Sequence, residues 1–186
     1  MGRRINNESL FRGKKPRALT GLASKAEKAK YKALLGQQRK AGIRFKEKVF
    51  GLLKKIGNRK EPIRVLVLCM DGVLDSVITS EHARYLIKQM GISNRILFFP
   101  GSYKNPDLYK KSIPGRKFFR KLDYVLVRHD VSSTDFVSRQ LQSRYGATPE
   151  VFVSPAYTNI AALSEERPKQ ILLEILQREI KKRRRN

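Results

Sequence analysis

The chain has 186 residues and carries 41 Lys+Arg against 16 Asp+Glu, a formal net charge of +25. That length allows one ordinary domain plus an extension, and that charge repels itself unless a polyanion neutralises it, with nucleic acid first and an acidic membrane surface second. No apolar run approaches the ~20 residues that cross a bilayer; the single cysteine excludes an intrachain disulfide and a multi-cysteine zinc site and points to a reducing compartment.

The charge is unevenly placed. Residues 1–60 hold 19 Lys+Arg and three acids (Glu8, Glu27 and Glu47), a net +16. Residues 61–186 hold 22 basic residues and 13 acids, a net +9. Such asymmetry marks a basic arm, 1–60, attached to a domain, 61–186. The start, "MGRRINNESLFRGKKPRAL", has the composition of a mitochondrial transit peptide, and is expected to be retained as part of the arm. Residues 1–23 lack apolar periodicity and should be extended, whereas 24–57 should be helical. Ser24 with Glu27 forms a capping-box pattern at the head of "SKAEKAKYKALLGQQRK". A second segment, "IRFKEKVFGLLKKIG", sets Phe45, Val49, Leu52, Leu53 and Ile56 at helical spacing, ready to dock on a core, and Gly57-Asn58 ends it.

From residue 62 strands and helices alternate. "IRVLVL" (63–68) is a continuous apolar run, expected of a strand covered on both faces. Ser76 to Met90 is predicted helical, with Ile78, Ala83, Leu86, Ile87 and Met90 inward and Gly91 closing it. "RILFFP" (95–100) is a second strand, followed by a long loop and a short basic helix near Gly115–Lys121. "DYVLVR" (123–128) is a third strand, and "SSTDFVSRQLQSRYG" (132–146) a helix closed by Gly146. "EVFVSP" (150–155) is a fourth strand. A final helix has Pro168 in its first turn and Ile171, Leu172, Ile175, Leu176 and Ile180 facing the core. Alternation with short connections predicts an α/β fold with a four-stranded parallel doubly wound sheet. The tail "KKRRRN" has five consecutive cations. One or two would complement the helix dipole; five suggest a contact with a polyanion.

The loop in "VLVLCMDGVLDS" (65–76) occupies the place where such sheets bind ligands, at a strand's carboxyl end with a helix beginning at Ser76. Its frame, Cys69, five residues counted from Met70 to Leu74, then Asp75 and Ser76, resembles the phosphate loop of low-molecular-weight protein tyrosine phosphatases. "KLDYVLVR" resembles that family's third-strand segment. The resemblance covers residues 63–160 and implies a phosphatase I-like, flavodoxin-like fold, a nucleophile at Cys69 and an assisting hydroxyl at Ser76. The family's loop arginine is replaced by Asp75, and its general-acid aspartate before a proline by Ser154. A carboxylate where a bidentate cation should grip phosphoryl oxygens reverses the sign, and Asp71 and Asp75 should disfavour a thiolate. The expectation is therefore a non-enzyme on a phosphatase-like fold. The same stretch also resembles the first motif of haloacid-dehalogenase-type phosphatases, with Asp71-Gly72 in register and Asp130 and Asp135 as acidic partners. There Cys69 falls on the nucleophile and removes a Mg²⁺ ligand. A phosphocysteine carrier is a third alternative, opposed by Asp75. The plain alternative is a strand end with a small buried cysteine, with Asp71 and Asp75 capping the helix.

His82 and His129 have no companion at ligand spacing, so no metal or cofactor is expected. "FFPGSYKNPDLYKKSIPGRKFFRK" (98–121) interleaves Phe98, Phe99, Tyr103, Tyr109, Phe118 and Phe119 with cations. These aromatics either stack on unpaired bases or fill the core. Long basic arm, compact domain and basic tail together resemble ribosomal proteins. The expected partner is ribosomal RNA within a ribonucleoprotein, alongside neighbouring ribosomal proteins and without a membrane. The expected location is the cytoplasmic ribosome, with an organellar ribosome as the alternative. The candidate RNA-binding residues are Arg3, Arg4, Arg12, Lys14, Lys15, Arg17, Lys25, Lys28, Lys32, Arg39, Lys40 and Arg44 in the arm. In the domain they are Lys104, Lys110, Lys111, Arg116, Lys117, Arg183, Arg184 and Arg185.

Overall fold

A computed structural model describes residues 24–69, 74–102, 115–127, 131–159 and 164–185. The chain divides into two compact units, 1–44 and 45–186. Helix α1 (Lys25–Ile56) crosses that division. The two expected arm helices are thus one. Gly36 and Gly42 lie inside it, and a helical glycine costs only about 1 kcal/mol, too little to break a helix with good neighbours. At its head the Ser24 backbone N–H donates to the Glu27 carboxylate at 2.7 Å, and the Glu27 N–H donates to Ser24 Oγ at 3.3 Å. That is the reciprocal capping box expected from the sequence. Those bonds hold the Glu27 carboxyl below its ordinary value, the Ser24 backbone N–H most of all.

The second unit contains β1 (Ile63–Cys69), α2 (Asp75–Gln89), β2 (Ile96–Ser102), α3 (Gly115–Arg120), β3 (Tyr124–Val127), α4 (Val131–Tyr145), β4 (Glu150–Val153), α5 (Pro155–Asn159) and α6 (Glu166–Arg185). The sheet is four-stranded and all-parallel, in the order β2-β1-β3-β4. The chain winds outward from β1 in one direction and from β3 in the other, so the order reverses between these central strands. Pro100 lies in β2, an edge strand, where a missing N–H is tolerated.

Both faces are covered, and successive residues of β1 enter different cores. Val65 and Val67 join one core with Val49, Leu53 and Ile56 of α1, Ala83 and Ile87 of α2, and Ile171, Leu172, Ile175 and Leu176 of α6. Leu66 and Leu68 join the other with Phe118 and Phe119 of α3 and Val137, Leu141 and Tyr145 of α4. This two-sided burial is why β1 reads as a continuous apolar run rather than an alternating one. Residues 45–56 therefore contribute to the core of the second unit. α1 and α2 end on Gly57 (φ 72°) and Gly91 (φ 70°), a left-handed backbone that favours glycine. The short helix α5 begins at Pro155, which the sequence pattern assigns to the end of the fourth strand. Among the described residues no helix is long and apolar enough to cross a membrane.

Candidate functional site

The carboxyl edge of the sheet gathers small polar groups. Cys69 ends β1 in register with Ser102, which ends β2. The Cys69 thiol is buried and donates to Ser76 Oγ at 3.3 Å. Ser76, Thr79, Ser102 and Ser154 are all fully buried. Thus the two residues that the phosphatase resemblance singles out, Cys69 and Ser76, are in contact. Met70, Asp71, Gly72 and Val73 lie outside the described residues, as do Asp130 and His129.

Asp75 does not leave an uncompensated negative charge. In the first turn of α2 its carboxylate receives Arg167 Nη1 at 2.5 Å. Arg167, in the first turn of α6, is buried, and the side chains of this pair are only 4 % and 13 % exposed. Its Nη1 also reaches Thr79 Oγ1 at 3.5 Å, and its guanidinium lies 5.3 Å from the Tyr157 ring centre. Asp75 stands where the resemblance puts an arginine, and a cation from 92 residues away in sequence offsets its charge. Sequence reasoning missed Arg167. The available signal was its place four residues before Ile171 on the apolar stripe of α6, where a charge must find a partner.

The amino edge holds a second buried network. Arg59 donates from Nη2 to Asp123 at 2.8 Å, from Nη1 to Glu179 at 2.9 Å, and from Nε to the Glu61 carbonyl at 3.2 Å. The other Asp123 oxygen accepts the Arg64 backbone N–H at 2.9 Å. Glu179 also accepts the Tyr124 hydroxyl at 2.9 Å and Arg183 Nε at 3.2 Å. Arg183 Nη1 and Arg95 Nη2 donate to the carbonyls of Ile56 and Gly57 at 2.6 and 2.5 Å, satisfying the end of α1. Burial alone would raise the Glu179 carboxyl; the Tyr124 hydroxyl, Arg59 and Arg183 outweigh it and hold the group below its ordinary value. Burial opposes the charge on Arg59, yet Asp123 and Glu179 raise its pKa. Burial, followed by the Glu179 charge, pushes the Tyr124 phenol well up.

The predicted RNA-binding residues are distributed as follows. Arg3, Arg4, Arg12, Lys14, Lys15, Arg17, Lys104, Lys110 and Lys111 lie outside the described residues, as do the side chains of Lys28 and Arg116. Lys25, Lys32, Arg39, Lys40 and Arg44 are exposed on α1, Lys117 on α3, and Arg183, Arg184 and Arg185 on the last turn of α6. The base-stacking alternative fails for four aromatics. Phe98, Phe118 and Phe119 are buried and Phe99 is partly buried; Phe119 stacks on Tyr145 at 4.1 Å, and Phe118 meets Phe99 edge-on at 4.7 Å. Tyr103 and Tyr109 lie outside the described residues. Among the described residues no three His, Cys, Asp or Glu side chains gather where they could hold a metal ion. No known protein-family model matches the chain, and no curated protein matches it significantly.

Proposed function

We propose that this protein binds RNA without catalysing a reaction, as a ribosomal or ribosome-associated protein whose basic arm and tail contact ribosomal RNA. One observation carries the reading: cations outnumber acids by 25, and the described cations of α1 and of the end of α6 are exposed. A polyanion is what such a surface attracts. Contacts to phosphate release counterions, so a protein making six to ten of them loses about 10³–10⁵ in affinity between 50 and 200 mM salt. Sedimentation of the full chain with ribosomes across that range tests the proposal. Release should be log-linear in salt. Absence of association at low salt, or association indifferent to salt, overturns it.

A second reading, a phosphatase-like hydrolase with Cys69 as nucleophile, is favoured by the 3.3 Å contact between the Cys69 thiol and Ser76 Oγ. Against it, Arg167, which contacts the start of α2, is engaged with Asp75. Aryl-phosphate hydrolysis by wild type and by Cys69→Ser separates the two. Turnover that disappears with the thiol establishes the hydrolase.

A further inference from the structure

In a parallel sheet the helices run opposite to the strands, so their carboxyl ends collect at the amino edge. Here those ends are basic: Lys54 and Lys55 on α1, Lys88 on α2, Arg120 on α3, Arg144 on α4, and Lys182 to Arg185 on α6. One cation per helix is ordinary dipole compensation. Four in the last turn of α6, after Lys181, exceed it.

The acids at this edge do not neutralise the excess, because each is engaged internally. Glu61 pairs with Arg64 and Lys121, Asp123 with Arg59, Glu150 with Arg178, and Glu179 with Arg59 and Arg183. Lys54, Lys55, Lys60, Lys182, Arg184 and Arg185 are exposed and make no ion pair among the described residues. A groove of about 400 Å³ is lined by two of them, Lys60 and Lys182, together with Arg59, Arg183, Glu61, Asp123 and Glu179. Its carboxylates are bound to guanidinium groups, so an incoming anion meets a net positive wall. Arg183 uses Nε and Nη1 on Glu179 and the Ile56 carbonyl, and its second terminal nitrogen has no hydrogen-bond partner among the described residues.

We infer that the amino edge of the sheet is the RNA-binding face of the 45–186 unit, gripping the phosphodiester backbone through Lys54, Lys55, Lys60, Lys182, Arg184 and Arg185. The inference rests on the RNA-binding reading and gives it a place: the edge opposite the one where α/β sheets hold small ligands. Lysines and arginines without a rigid donor–acceptor array grip phosphates and read no bases. Binding on this face is therefore indifferent to sequence.

The test uses the full chain, a fluorescein-labelled RNA hairpin and a salt titration. The variant K54Q/K55Q/K182Q/R184Q removes four exposed charges that make no ion pair among the described residues; of the four, Lys182 also lies against the core, its ammonium 5.9 Å from the Tyr124 ring centre. If each neutralises one phosphate, the slope of log affinity against log salt becomes shallower by about 3. The pair R139Q/K169Q, away from the edge, leaves the slope unchanged. If the wild type does not bind the hairpin, the RNA-binding reading falls. If it binds and the edge variant keeps the wild-type slope, or R139Q/K169Q lowers the slope as much per charge, the reading stands and the amino-edge assignment is overturned. Melting of each variant at the wild-type temperature confirms that folding is unchanged. An edge variant that melts lower is replaced by the single substitutions K55Q and R184Q, each expected to lower the slope by just under 1. Loss of binding to phosphatidylserine vesicles in the edge variant, with its hairpin affinity and salt slope unchanged, would overturn the assignment in favour of a lipid surface.

Discussion

Arg167→Met should destabilise the fold by about 3 kcal/mol. The substitution keeps an apolar stem beside Tyr157 and removes the charge facing Asp75. Breaking a buried ion pair from one side typically costs about 3–5 kcal/mol because the partner charge remains buried. The Asp75 side chain is 13 % exposed and recovers some hydration, which places its loss of partner at the low end; the Arg167 side chain is 4 % exposed. Asp75→Asn should therefore cost more, about 4 kcal/mol. The double variant removes both charges, so it should be less damaging than the sum, with a coupling of about 2–3 kcal/mol. Urea denaturation at neutral pH gives each value, provided the slope with denaturant is unchanged. For a chain of this length 3 kcal/mol corresponds to a melting shift of roughly 6–12 °C. A loss under about 1 kcal/mol for Arg167→Met, or strict additivity in the cycle, would refute the reasoning, since both are the behaviour of a solvated pair.

Three further outcomes are expected. The Glu179 carboxyl is held below its ordinary value of 4.5, so the unfolded chain binds its proton first; the associated stability is present above that pH and lost as pH falls through the folded value. Glu179→Gln should flatten the acid limb of a stability–pH curve below about 4.5, and an unchanged limb would show that another group controls it. Ser24→Ala should remove the cap of α1, about 1 kcal/mol locally, seen as roughly fivefold faster amide exchange in residues 25–28; unchanged exchange sinks the capping-box reading. Leu126→Ala, at a fully buried position of central strand β3, should cost about 3–5 kcal/mol by chemical denaturation, and a loss under 1 kcal/mol would mean that the site collapses around the gap.

The strands were legible because burial on both faces turns a parallel strand into an unbroken apolar run, as "IRVLVL" shows. Helix ends were legible because Gly57, Gly91 and Gly146 adopt a left-handed backbone. What stayed hidden has a common cause. Arg167 meets Asp75 across 92 residues, and Arg59 meets Glu179 across 120. No local pattern encodes such pairs, although Arg167, Ile171, Ile175 and Glu179 follow one another at four-residue spacing, and charges on that stripe require partners. The aromatics of 98–121 were ambiguous because composition does not say which way a ring points. The pleat decides it, sending Phe98 into one core and Phe99 toward the other. Helix α5 spans five residues, less than the window in which periodicity can register.

The two ends of the sheet differ in how they can receive an anion. At the carboxyl edge, Arg167 is held by Asp75, and an oxyanion would have to displace a pair coupled by about 2–3 kcal/mol. That penalty lowers affinity by about two orders of magnitude, at 1.4 kcal/mol per decade. At the amino edge the competition is already resolved. Glu61, Asp123 and Glu179 are satisfied by Lys121, Arg59 and Arg183, and Lys54, Lys55, Lys60, Lys182, Arg184 and Arg185 have no ion pair to leave among the described residues. An incoming phosphate there displaces only water and mobile counterions, whose release favours binding. For the same reason charge substitution tests the RNA-binding proposal more cleanly than truncation. A deletion through residue 60 would also remove Val49, Leu53 and Ile56 from the core and Arg59 from the Glu179 network, so lost binding would not distinguish missing cations from a missing fold.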